Sequence, residues 1–452
     1  MKYLVALLTL LTVLAAGCMT NASLATLPAP AATSMPTIAP TATDAPLAPI
    51  ITPQDFTYTN GDPSFEALPG ARAFHGEYAG GIYKIEVPDN WNGEVVYFEH
   101  GYRLHVPVLA ADTPPLRTHL IENGFAWAAS SYTMNGYEPG VAARDTYALR
   151  AVFERLAGAP TRSYLYGESM GGHIVALMLE QYPDAYDGAL STCGAVAGSE
   201  VLDYFLDWSV LAGYFSDVDL WSKSTDGVAF GAAVETQVMP ALGPIDALTD
   251  GGRAFANAIQ QLTGGPRPFF WEGFALSYGA NFGVLGDAIA HPGAANVVVQ
   301  NVDKVYEIDP GFGVTQDELN ESIARIASSE AYRNAARYPE FAPLTGKISS
   351  PFLTLHGTGD LFVPISLEQS YRRIVDAAGR GGLLVQRAMR HAGHCVFSQE
   401  ELSQGFDDLV SWVRSGTAPA GDNLLGDLTN IGRAFTTPLE ASDPGTTGLA
   451  AP

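Results

Sequence analysis

Three side chains far apart in this chain together suffice for one kind of chemistry. Ser169 stands in Gly167-Glu168-Ser169-Met170-Gly171, Asp360 ends His356-Gly357-Thr358-Gly359-Asp360, and His394 closes Arg390-His391-Ala392-Gly393-His394. A serine hydroxyl is a poor nucleophile at neutral pH until a neighbouring base takes its proton during attack. An imidazole can be that base. A carboxylate on the other imidazole nitrogen fixes the tautomer and stabilises the imidazolium as it forms. Such a trio carries acyl transfer through a covalent acyl-enzyme. His394 is favoured as the base because Gly393 permits a tight turn before it; His391 is the alternative.

Elements must bring these residues together, and the flanking sequence supplies them. A G-x-S-x-G pattern arises by chance roughly 0.3 times in a chain of this composition, so its surroundings carry the weight. Residues 162–166 are β-prone, and 172–180 have the apolar stripe of a helix that ends before Pro183. The spacing thus predicts a strand, a sharp turn with serine at its apex, and a helix. Residues 351–357 read as a buried strand running into the Gly-rich loop that ends on Asp360. Residues 383–389 read as another strand, followed by the histidine segment.

Upstream, 81–87 alternate as a strand, 88–93 form a turn, 94–99 are a buried strand and 124–132 another. Residues 141–156 have helical spacing, and 187–192 are strand-like. Residues 366–378 and 399–414 are helical. Alternating strands and helices predict an α/β chain, its mostly parallel central sheet covered by helices on both faces. From 198 to 346 that rhythm stops. The stretch is aromatic-rich, with Tyr204, Phe205, Trp208, Tyr214, Phe215, Trp221, Phe269, Phe270 and Trp271. It is expected to be an inserted, mainly helical cap whose aromatics mostly pack together, a minority lining a substrate pocket.

The first residues address the compartment. Lys2 precedes an apolar run, 4–16, too short to span a bilayer stably, as in a signal peptide. Leu14-Ala15-Ala16-Gly17-Cys18 resembles a bacterial lipobox, which implies lipidation at Cys18, although Leu sits one place early; an ordinary secretory signal cut near Ala16 is the alternative. The division expected is signal peptide 1–17, lipidated Cys18 with an Ala/Thr/Pro-rich tether 18–54, core 55–197, cap 198–346, core 347–418, and a partly disordered extension 419–452. Export to the cell surface or beyond, with membrane contact through the lipid anchor only, follows from this reading.

A formal charge of −24 argues against a nucleic-acid partner, since phosphate contacts need a basic face and none is visible. Dinucleotide, P-loop and paired metal-ligand motifs are missing, so no cofactor or metal is expected; neither His100 with His105 nor His391 with His394 is completed by clustered Asp, Glu or Cys. Cys193 and Cys395 are an even pair in an oxidising compartment, both expected at the catalytic edge of the sheet. A disulfide would tie the histidine loop to the sheet; two separate buried thiols are the alternative.

Gly167-Glu168-Ser169-Met170-Gly171-Gly172, His356-Gly357-Thr358-Gly359-Asp360 with Val363-Pro364, and Ala392-Gly393-His394 resemble the α/β-hydrolase superfamily over roughly 75–415, apart from the cap. The resemblance implies a Ser169–His394–Asp360 triad and an oxyanion hole. That hole would use the Met170 N–H and a second N–H from Tyr102 or Gly101, in the loop after His100. His394-Cys395 is similar to the tannase and feruloyl esterase group, in which the cysteine bridges to one just before the serine; that position here is Glu168. The expected substrate is a small-molecule or polymeric ester. A serine peptidase on the same fold and a non-catalytic binding lipoprotein are the other readings.

Overall fold

Strand segments of this chain are apolar on both faces, and that decides the architecture. The computed structural model describes residues 57–224, 226–284, 298–328, 333 and 339–439. Cys18 and the stretches expected to be signal peptide and tether, 1–54, lie wholly outside them. The strands are β1 (Thr59–Asn60), β2 (Ala71–Tyr78), β3 (Gly81–Pro88), β4 (Glu94–Glu99), β5 (Val108–Leu109), β6 (Ala126–Ser130), β7 (Arg162–Glu168), β8 (Gly188–Thr192), β9 (Phe352–Gly357) and β10 (Leu384–Met389). Eight of them form one sheet in the order β10-β9-β8-β7-β4-β6-β3-β2. The pairings from β10 to β6 are parallel, whereas β3 runs antiparallel to both β6 and β2. β1 and β5 make a separate two-stranded pair.

Successive side chains of a strand point to opposite faces, and here both faces are core. On β4, Val95 and Tyr97 enter one apolar cluster while Val96 and Phe98 enter the other. The helices α1 (Arg117–Glu122), α2 (Pro139–Ala157) and α3 (Met170–Gln181) follow β5, β6 and β7. Leu149, Val152 and Phe153 of α2 and Ile174 and Val175 of α3 cover the first face. Leu116 and Leu120, at the start and within α1, lie on the second.

Between β8 and β9 the insertion contributes α4 (Glu200–Ser216), α5 (Gly227–Ala233), α6 (Met239–Leu242), α7 (Asp250–Leu262), α8 (Phe270–Ser277) and α9 (Gln316–Ser322). Trp208 is its hub, with ring centroids 5.2 Å from Phe255 and 5.8 Å from Phe274. These aromatics are continuous with the first face of the sheet, so the insertion shares the core's interior. The chain closes with α10 (Ile365–Ala377) and α11 (Gln399–Ser415), whose Leu402, Phe406, Leu409 and Val410 complete the second face. Among the described residues no helix is long and apolar enough to cross a membrane.

One feature departs from the sequence reading. β2 was not anticipated: its positions alternate between half-buried and exposed, and small or polar residues blur the pattern. The stretch 419–452 was expected to be partly disordered; the part of it described, to residue 439, is packed. Leu424, Leu428 and Ile431 are buried with Ala388, and the Asp422 carboxylate accepts a hydrogen bond from the Ala388 N–H at 2.9 Å. Residues 440–452 lie outside the described part.

Candidate active site

Ser169 sits between the end of β7 and the first residue of α3, with φ 56° and ψ −120°. Such a backbone is strained for a residue with a side chain and persists only where its surroundings hold it. They do so here. The Ser169 N–H donates to the Thr192 carbonyl at 3.2 Å, and the Ser169 carbonyl accepts from Gly172 at 2.9 Å and Ala195 at 3.0 Å. The flanking glycines are there for space. A Cβ on Gly167 would lie 2.2 Å from the Gly171 carbonyl oxygen, one on Gly171 2.1 Å from that of Glu99, and one on Gly172 2.4 Å from Gly194 Cα.

The other two side chains reach the same point. His394 Nε2 lies 2.9 Å from Ser169 Oγ, and His394 Nδ1 lies 2.7 Å from Asp360 Oδ2. Asp360 is fully buried, and its second oxygen accepts the N–H groups of Phe362 and Val363 at 2.9 and 3.0 Å. With Nδ1–H donated to Asp360, Nε2 is left as the acceptor for the serine proton. The Phe362 ring stands 5.0 Å from the His394 ring. His391 lies elsewhere: its Nε2 meets both oxygens of Glu401 at 2.8 Å, tying the loop to α11.

Of the residues proposed as oxyanion donors, Met170 is the first residue of α3, where an N–H has no partner inside the helix. Gly101 lies directly over the serine: a Cβ there would be 3.1 Å from Ser169 Cβ and 3.5 Å from its Oγ. Tyr102 follows, its ring 6.5 Å from that of Tyr137. His100 is buried, stacked on Tyr132 at 4.1 Å, with its Nδ1 2.8 Å from the Gly101 carbonyl. Burial, with Arg103 nearby, pulls its pKa down to about 4, so it is a neutral brace for the loop. Glu168, at the elbow, is enclosed by the Tyr166 and Thr192 hydroxyls; burial raises its pKa, opposed by those hydrogen bonds and by His394.

A disulfide joins Cys193 to Cys395, residues 202 apart in sequence. Thr192 pairs with Glu168 across β8 and β7, so the half-cystine on the sheet side comes from the neighbouring strand, one residue beyond the level of Glu168. The bridge therefore reaches the residue after the histidine without a cysteine beside the serine.

Several supporting residues escaped the sequence reading. Glu99, at the end of β4, accepts the Tyr132 and Thr146 hydroxyls at 3.0 Å, and burial raises its pKa to about 8. His356 contacts the Val363 carbonyl at 2.8 Å and Glu368 at 3.3 Å beneath the acid loop. Arg267 comes from the insertion. Its only sequence signal is a lone charge within Pro266-Arg267-Pro268-Phe269-Phe270.

The strand order, the elbow and the succession serine, aspartate, histidine are those of the α/β-hydrolase fold. No protein-family model matches the chain. It is 23% identical over 421 residues to an o-phthalyl amidase of Xanthobacter agilis, covering 80% of this chain and 91% of that protein. Among solved structures it is similar to feruloyl esterase B of Aspergillus oryzae, at 13% identity and a TM-score of 0.48 over 77% of this chain and 82% of that one. It is also similar to an acylaminoacyl peptidase of Pyrococcus horikoshii, at 13% identity and a TM-score of 0.36 over 72% and 38% of the two chains.

Proposed function

We propose that the chain is a serine hydrolase that cleaves carboxylic esters through a Ser169 acyl-enzyme. One observation carries this reading: a single imidazole touches Ser169 Oγ with one nitrogen and the buried Asp360 with the other. In the first half-reaction Ser169 Oγ attacks the ester carbonyl while His394 Nε2 takes the hydroxyl proton. The tetrahedral oxyanion is met by backbone N–H donors, Met170 and one from Gly101 or Tyr102. Collapse breaks the bond to the alcohol oxygen, which leaves with the proton from His394. Water then repeats the sequence on the acyl-enzyme, releasing the carboxylic acid and restoring Ser169. Substitution of Ser169 by Ala is expected to abolish p-nitrophenyl ester turnover and fluorophosphonate labelling while leaving the melting temperature near that of the wild type. Retained turnover in that variant, with unchanged folding, would exclude Ser169 as nucleophile.

Amide cleavage is the second reading, favoured by the likeness to an o-phthalyl amidase. The acylation chemistry is the same, but an amine leaves only after His394 has protonated it. Paired aryl esters and aryl amides of one acyl group, compared by kcat/KM, separate the two. Export and lipidation at Cys18 belong to the same proposal and rest on the sequence alone. Cys18→Ala is expected to release the protein from the membrane fraction; a membrane-bound variant would remove the lipid anchor from the reading.

A further inference from the structure

The acid loop that carries Asp360 is held by the insertion as well as by the sheet. Tyr204 of α4 donates its hydroxyl to the Leu361 carbonyl at 2.6 Å, and the Asn281 amide donates to the same oxygen at 2.8 Å. Gly273 of α8 lies so close that a Cβ would stand 1.7 Å from the Gly359 carbonyl oxygen. Arg267 takes the other side. Its Nε donates to the Thr358 carbonyl at 2.7 Å, two residues before Asp360. The rest of the guanidinium meets neutral groups: the Gly265 carbonyl at 2.9 Å, Thr263 Oγ1 at 3.1 Å and the face of Phe270 at 5.3 Å.

A buried charge is expensive unless it is paired. Arg267 is only 7% exposed and forms no ion pair with a carboxylate among the described residues. Burial lowers its pKa to about 10, and the Tyr204 phenol and Asp360 oppose that, so the cation is retained at neutral pH. Both Asp360 oxygens are already engaged, by Phe362, Val363 and His394. We propose that Arg267 is a positioning residue: it fixes the acid loop through Thr358 and keeps a permanent positive charge behind Asp360. This rests on the serine-triad reading above.

Among the described residues, few charged groups face the pair. Asp360 is faced by Arg267 and Tyr204 from the insertion and by His356 from β9; His394 is faced by Glu168 from β7. Tyr204 is held neutral by burial. His356 is itself paired with Glu368. Arg267 is thus the fixed cation on the carboxylate side of the pair.

The test is the pH dependence of fluorophosphonate labelling in the full-length protein and in Arg267→Met, Arg267→Gln and Arg267→Lys. Labelling requires neutral His394, so its acid limb reports imidazolium formation. Both neutral variants are expected to move that limb upward by roughly 0.5–1 pH unit. Labelling below the limb then falls about 3- to 10-fold. Lys keeps the charge and is expected to keep the wild-type limb, even where its plateau rate drops with the altered contact to Thr358. A purely structural arginine would change the plateau or the melting temperature in all variants and leave the limb in place. An unmoved limb in the neutral variants overturns the proposal, as does a Lys limb shifted with theirs. Gln retains a donor for the Thr358 carbonyl and serves where Met fails to fold. Wild-type labelling that survives Ser169→Ala overturns the serine reading instead.

Discussion

Around Ser169 the tolerances are those of single atoms. Gly101 leaves 3.1 Å between the position of a missing Cβ and Ser169 Cβ, tighter than most packed side-chain contacts allow. Gly101→Ala would have to push the loop away from the serine, and with it any oxyanion donor the loop supplies. A displacement near 1 Å at reacting atoms costs about 10²-fold in rate. The expected outcome is a fall of that order in ester kcat/KM, with little change in melting temperature; an unchanged kcat/KM would show that the loop does not serve the oxyanion. Asp360→Asn probes the carboxylate end of the proposed triad. Asn can still accept from the Phe362 and Val363 N–H groups through its oxygen, which preserves the loop. Its amide N–H then faces His394 Nδ1 and selects the wrong tautomer, so kcat is expected to fall roughly 10⁴-fold. Stopped assays across pH on a variant of wild-type stability check this.

Larger pieces depend on how loops after separate strands are joined. The Cys193–Cys395 bridge fastens the end of β8 to the histidine loop, and Cys193, like Cys395, adopts positive φ. Removing a native disulfide from a folded domain typically costs about 2–5 kcal/mol. The double variant Cys193→Ala/Cys395→Ala is therefore expected to melt earlier and to lose activity before global unfolding, as the His394 loop loosens. Thermal melts with and without reductant should converge for the variant and differ for the wild type; a wild type indifferent to reductant would contradict this role.

Loops of this kind were legible in the sequence because each follows a strand with a clear apolar run: β7 before Ser169, β9 before Asp360, β10 before His394. Periodicity marked the helices that cover the sheet for the same reason. β2 escaped because its apolar residues, Ala71 on one face and Phe74 and Tyr78 on the other, are only half-buried, and residues such as Arg72 and His75 break the alternation. The packed stretch after 418 has no period to read, since its three buried side chains dock without helix or strand. Arg267 and Glu99 escaped for a deeper reason. Their surroundings are assembled by tertiary contact, and nothing in their neighbours along the chain announces a buried charge.

Over the whole molecule, buried acids set how stability responds to pH. Burial raises Glu99 to about 8, Glu138 to about 7, Asp203 to about 7 and Asp207 to about 6. Between the ordinary carboxylate range and these values, the folded protein keeps protons that the unfolded chain has released. By linkage, the stability these groups contribute is fully present at low pH and is lost as pH rises through the folded values. Two buried histidines act in the opposite sense: burial lowers His100 to about 4 and His173 to about 3, so their contribution is lost as pH falls below about 6.5. Above that point the acids act unopposed, and self-repulsion in a chain of formal charge −24 adds to them. Four acids outweigh two histidines from about pH 5 upward, so the melting temperature is expected to decline as pH rises from about 5 toward 9. Glu99 accounts for the uppermost part of the decline, about 1.4 kcal/mol for each pH unit over which it alone titrates. Its Gln variant keeps an acceptor for the Tyr132 and Thr146 hydroxyls and has no proton to lose, so its curve should flatten between pH 7 and 9. A Glu99→Gln curve running parallel to the wild type over that interval would mean that Glu99 is already ionised in the folded protein, and that its charge is met by a group other than these two hydroxyls.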